Sequence, residues 1–133
     1  MCDREIRDWC ARWSEQVRRR DIAGGQKLFC DDVVAFGTRN RIMHGLDELA
    51  RLQWTPTWNA TSDFTIHDES VFISVSNDGH SAWLAGLWSS TGIADDGTTF
   101  PRGGRVTLAF RKDGNGAWLC VHSHLSDQPS PDL

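Results

Sequence analysis

The chemistry-bearing stretch nearest the C-terminus runs Trp118-Leu119-Cys120-Val121-His122-Ser123-His124-Leu125-Ser126. If it is a regular strand, its two-residue period puts Trp118, Cys120, His122 and His124 on one face, and Leu119, Val121, Ser123 and Leu125 on the other. Imidazole titrates near neutrality: neutral it takes a proton, charged it holds an anion. His124 or His122 is therefore the expected general base or carboxylate-binding group. The competing role is a hydrogen-bonded structural histidine or one at a subunit interface. Arg105 alternates with Val106, Leu108 and Phe110, which places it with Thr107, Ala109 and Arg111 on one face of the preceding strand. A guanidinium grips a carboxylate with two parallel hydrogen bonds, so Arg105 is the expected anion clamp or electrophile if the two faces join. Arg111, near a turn, is expected to be exposed.

Two histidines at i and i+2 can also chelate a metal, but a site needs a third ligand. His44, His67 and His80 fall in turns or on another strand, so no metal is expected. Asp63, Asp68, Glu69, Asp95 and Asp96 sit in turn-like settings and are expected to be solvated. The chain has seven tryptophans and no tyrosine. The lack of a phenol removes that acid from the possible mechanisms. The indoles offer flat apolar walls, and Trp118, Trp58, Trp54, Trp13 and Trp83 are the candidate pocket residues for a small apolar or aromatic ligand. Trp83 and Trp88 differ in parity and should face opposite sides of their strand, one toward a cavity and one toward a dimer face.

These residues need elements to hold them. Ile6, Trp9, Cys10, Trp13 and Val17 form one stripe at helical spacing, which predicts a helix over 3–20 with Asp3 as N-cap. A second, shorter helix over 21–30 is weakened by Gly24-Gly25. Asp31-Asp32 reads as a turn, and Val33 to Phe36 as a short buried strand ending at Gly37. A third helix over 45–54 carries Leu46, Leu49, Leu52 and Trp54, and Pro56 should stop it. From residue 61 the period becomes two. Strands are expected from Phe64 through Val75 with a bend, then over 82–91, 98–111 and 117–126. Asn77-Asp78-Gly79, Asp95-Asp96-Gly97 and Asp113-Gly114-Asn115-Gly116 are the turns between them. Pro101 and Gly103-Gly104 should interrupt the fourth strand with a bulge or an edge. The tail over 127–133 is polar and expected to fray.

Helices followed by hairpin-connected strands predict an α+β domain with an antiparallel sheet. Such a sheet must curl around the helices, leaving a cone-shaped cavity. The 133 residues make one domain, 1–133, long enough for a core of its own. Fourteen Lys+Arg against eighteen Asp+Glu give a net charge of −4. With Arg18-Arg19-Arg20 as the one basic run, read as a solvated helix end, nucleic acid is not an expected partner. The charged start, Met1-Cys2-Asp3-Arg4-Glu5, and strand-sized apolar runs predict neither a signal segment nor a membrane span, hence a cytoplasmic protein. Cys2, Cys10, Cys30 and Cys120 fit no zinc or redox spacing and read as small buried hydrophobes. An open sheet this rich in tryptophan would expose an apolar patch as a monomer, so a homodimer is expected.

Several stretches resemble the SnoaL-like branch of the nuclear transport factor 2-like superfamily. Asp21 to Gly37 resembles that family's second helix, acidic turn and first strand. Met43 to Leu49 resembles the glycine-led start of its third helix, and Arg105 to Ser126 its final hairpin. Trp118-x-x-Val121-His122-x-His124-x-Ser126 is also similar to the last strand of the calcium/calmodulin-dependent kinase association domain, of the same superfamily. The resemblance covers nearly the whole chain. It implies a cone-shaped sheet around N-terminal helices and a small-molecule pocket, with possible isomerase, cyclase or dehydratase activity without an organic cofactor. The alternative it implies is a non-enzymatic dimerisation or association module. Ketosteroid isomerases of this fold need a carboxylate where Gly37 stands, a tyrosine, and an acid on the strand Val106 to Phe110, and none is present. Epoxide hydrolases of the fold use an Asp-Arg-Asp cluster on pocket strands. Here the strands offer arginines, while the aspartates fall in turns.

Overall fold

A computed structural model describes residues 2–38 and 42–127. The order of elements is α1 (Cys2–Arg19), α2 (Ile22–Gln26), β1 (Phe29–Phe36), β2 (Ile42–His44), α3 (Leu46–Leu49), a π-helical turn (Ala50–Trp54) and α4 (Thr55–Asn59). The strands β3 (Thr61–Ile66), β4 (Phe72–Val75), β5 (Ser81–Ile93), β6 (Thr99–Lys112) and β7 (Trp118–Asp127) follow. The fold class is the expected α+β, with one curved seven-stranded sheet in the order β2-β1-β7-β6-β5-β3. β3 and β4 share one edge of β5, joined by the single 3-10 turn Asp68–Ser70. The remaining neighbours are antiparallel except β1 and β7, which run parallel.

The helices fill the concave side. Ile6, Trp9, Trp13 and Val17 of α1 are buried as their spacing predicts, against Phe29, Val33, Leu84, Leu108 and Phe110 of the sheet. The arginine run does more than face water. Arg18 donates to the Phe64 carbonyl at 2.8 Å and Arg20 to the Thr61 carbonyl at 3.1 Å, pinning the end of α1 to β3. Asp3 lies inside the first turn of α1 and pairs with Arg7 at 3.0 Å, so it is not the N-cap.

Three local expectations are corrected. Asp31 and Asp32 belong to β1, where both point to solvent. β1 begins at Phe29 because Phe29 pairs with Cys120, and an irregularity between Phe29 and Val34 absorbs the acidic pair. Pro56 does not stop the third helical segment, which continues to Asn59. The π turn ends with the Thr55 N–H bonded to the Ala50 carbonyl, and Pro56 sits in the first turn of α4, where a missing N–H breaks nothing. Pro101 and Gly103-Gly104 do not interrupt β6, which stays in register with β5 from Thr99 to Arg111. Of the tail, only Asp127 lies within the described residues, as the end of β7.

Candidate site: an aromatic recess inside the sheet

The face assignment of β7 depends on one residue. Phe110 pairs with Cys120 and Ala109 with His122, so Val121 is an extra residue in β7, a β-bulge. The bulge shifts the phase of the strand by one. Trp118 and Cys120 point inward, and after the bulge so do Ser123, 2% exposed, and Leu125, 7% exposed. His122 and His124 therefore point outward, which corrects the expectation that they share a face with Trp118. Arg105 does share a face with both histidines, but it is the outer one: it is exposed and its pair partners are Leu87 and Ser126.

On that outer face the His122 Nδ1–H donates to the Val34 carbonyl at 2.7 Å, which leaves Nε2 as the lone-pair nitrogen of the neutral ring. Phe36 packs on both histidines, with ring centres 6.0 Å from His122 and 5.1 Å from His124. Trp83, 46% exposed, also stands on the outer face, packed on Phe72 at 5.7 Å. It is not a pocket residue, because the parity of β5 turns Trp88 inward in its place, at 3% exposure. Trp118 is buried at the other end of the concavity. Its Nε1–H donates to Glu5 at 3.3 Å, and Lys112 lies over its ring. Arg111 is exposed, 3.6 Å from Asp32.

The inward recess lies between α1, the π turn with α4, and the inner face of β3, β5, β6 and β7. Trp13, Trp54 and Trp58 meet there, with Trp88, Phe64 and Leu125 completing its apolar wall. Trp54 and Trp58 stack at 4.7 Å with planes 17° apart. They lie against bare Gly25, where a Cβ would come within 2.9 Å of Trp58. Counted to its open mouth the recess holds about 420 Å³, little of it wide enough to admit a water molecule, so it is a narrow slot. Its polar members include Gln53, Thr57, Thr61 and Arg102. Arg102 lies 5.2 Å over Trp88 and donates to Ser90 Oγ at 3.3 Å. The expectation put one of Trp88 and Trp83 at the cavity and chose Trp83, and it did not name Gln53 or Arg102. The parity contrast between Trp83 and Trp88 was the available signal for Trp88.

The titrating groups with displaced values lie elsewhere. Burial pushes the Cys10 thiol up to about 12 and the Cys120 thiol higher still, so neither is a nucleophile near neutral pH. Hydrogen bonds from Ser76 and from the His80 backbone lower the Asp78 carboxyl, and bonds from Thr98 lower Asp96. Both are in exposed hairpin turns. Among the described residues no group of three or more His, Cys, Asp or Glu is placed to hold a metal. No helix among them is long and apolar enough to cross a membrane.

Solved structures share this architecture. A nuclear transport factor 2-like superfamily protein from Salmonella enterica superposes with a TM-score of 0.84 at 24% identity, covering 98% of this chain and 93% of that one. A putative calcium/calmodulin-dependent protein kinase II association domain from Xanthomonas campestris gives 0.81 at 19%, covering 96% and 88%. A putative dehydratase of the NTF2-like family from Streptomyces avermitilis gives 0.79 at 18%, covering 97% of each chain. At these identities the likeness establishes the fold. A search of curated proteins finds no match. The family model for the SnoaL-like domain matches residues 6–131, and the chain belongs to that family.

Proposed function

We propose that this protein binds a small planar molecule in the aromatic recess. The observation that carries the reading is the slot itself, open at one end and walled by Trp13, Trp54, Trp58 and Trp88. Stacked indoles present flat apolar surface at little entropic cost, the wall chemistry of aromatic-ligand sites. The fold's relatives include proteins labelled ketosteroid isomerase-like and putative dehydratase. Proton transfer in this slot would need a base, and its described lining offers neither imidazole nor carboxylate. Binding without turnover is therefore the better-supported reading, with His122, His124 and Arg105 outside the chemistry. Titrating the intrinsic fluorescence with naphthalene should give saturable quenching, and Thr57→Trp, which plugs the slot, should abolish it. Quenching that never saturates, or that survives the plug in a folded variant, overturns the proposal.

A second reading, compatible with the first, is that the outer face pairs with the same face of a second copy. Phe72 and Trp83 stand on one side of it and Phe36, His122 and His124 on the other. Ala85, Thr107 and Ala109 form a low strip between them. A two-fold axis offset from the trough would seat one aromatic ridge of each copy in the trough of the other. Exposure of Phe72 at 64%, Trp83 at 46% and Leu87 at 44% favours a covered face. Sedimentation should show a dimer that Trp83→Arg converts to a monomer. A wild-type monomer at micromolar concentration contradicts this reading and leaves the recess reading intact.

A further inference from the structure

Apolar stacking does not account for a polar atom on each of two residues that line the recess. An indole N–H donates and never accepts. Trp9 donates to the Leu28 carbonyl at 3.0 Å, Trp88 to the Arg105 carbonyl at 3.2 Å and Trp118 to Glu5 at 3.3 Å. Trp13 is 2% exposed and its Nε1–H meets no acceptor among the described residues. Gln53 Oε1 is also buried without a donor there. Both residues line the same narrow slot. A buried group left unpaired costs about 1–3 kcal/mol, and the two residues that carry these groups line one slot.

Gln53 is also held in place. It leaves the π turn and lies across Gly37, where a Cβ would sit 2.8 Å from Gln53 Cδ. A side chain at position 37 would displace the amide. Glycine at 37 therefore leaves room for a neutral amide at the slot.

We propose that Trp13 Nε1 and the Gln53 side-chain amide read a polar edge of the ligand, and that this ligand is a flat ring with a carbonyl beside an N–H or O–H, the lactam pattern. The carbonyl oxygen accepts from Trp13, and the adjacent donor reaches Gln53 Oε1. The ring slides between the indoles, which suits a slot too narrow for a thick body. The inference rests on the small-molecule reading of the recess and adds its selectivity.

The test is calorimetric titration of the intact protein with 2-pyridone, N-methyl-2-pyridone and benzene. 2-Pyridone should bind about tenfold or more tightly than benzene. Trp13→Phe and Gln53→Met, checked for folding by circular dichroism, should each weaken 2-pyridone by roughly 3- to 10-fold, the value of one hydrogen bond. Each should weaken 2-pyridone more than benzene, which makes no hydrogen bond and feels only the change in the wall. N-methylation should reproduce the Gln53→Met loss in the wild type and add nothing to it in that variant. If both variants weaken 2-pyridone and benzene alike, or neither, the polar pair is only packing or holds a water, and the inference falls while the recess reading stands. If no probe binds the wild type, the recess reading falls as well.

Discussion

The two ends of the concavity are built from the same aromatic side chains and end up different. At one end Trp9 is fully buried against Phe29 at 5.4 Å and Phe110 at 4.8 Å, and its N–H is bonded to the Leu28 carbonyl. Trp118 closes that end with its own N–H on Glu5. At the other end Trp54 and Trp58 stack in parallel, the Trp13 N–H has no acceptor among the described residues, and a slot remains. Edge-to-face packing interlocks and fills volume, whereas parallel stacking leaves a flat surface for another ring to extend. Trp9 and Trp13 are both buried, and they differ in whether the N–H finds an acceptor among the described residues.

The comparison can be broken most directly at Trp9. Trp9→Ala should remove about 3–5 kcal/mol, because the filled end cannot collapse around the void, and urea unfolding measures it. At the open end, Gly25→Ala should cost about 1–3 kcal/mol by driving a methyl into Trp58, with a change in tryptophan emission as the stack shifts. A sharper contrast pairs Trp9→Phe with Trp13→Phe. Both shorten a ring, but only the first removes a made hydrogen bond. The Leu28 carbonyl keeps the Cys120 N–H at 3.0 Å, so the gap should be about 1 kcal/mol, with Trp13→Phe the milder. Equal losses would mean that the two N–H groups are equally engaged.

The smallest effect is alkaline. Cys10 ordinarily ionises near 9.0 and burial raises it to about 12. A folded-state value above the unfolded one gives stability that is complete below pH ~9 and fades as pH rises toward about 12. Unfolding midpoints at pH 8 and 10.5 should differ, and Cys10→Ala should narrow the difference.

Much of this fold was legible. The stripe on α1 and the Asn/Asp-Gly turns report local geometry, and each landed where its pattern put it. Opposite exposure of Trp83 and Trp88 followed from parity alone. Which of the two faced inward did not, since that depends on where the helices lie. Pro56 and the Asp31-Asp32 pair misled because the π turn and the parallel pairing of β1 with β7 are tertiary accommodations that no local residue marks. The placement of the named side chains was legible only in part, for the same reason. The bulge at Val121 carries no glycine, and without it the alternation pointed both histidines inward. Gln53 drew no attention because an amide on a helical segment looks like surface until the slot beneath it is seen.

That bulge has a consequence for anyone comparing this strand with another. Inward positions are even-numbered before Val121 and odd-numbered after it, so β7 reads like a ruler with one division repeated. A column-by-column alignment to a relative without the repeat would assign outer-face residues to inner-face roles with no visible gap to warn of it. A saturation scan of β7 should expose the join directly. Tolerance of polar substitution should alternate, skip once at 121, and alternate again in the opposite phase.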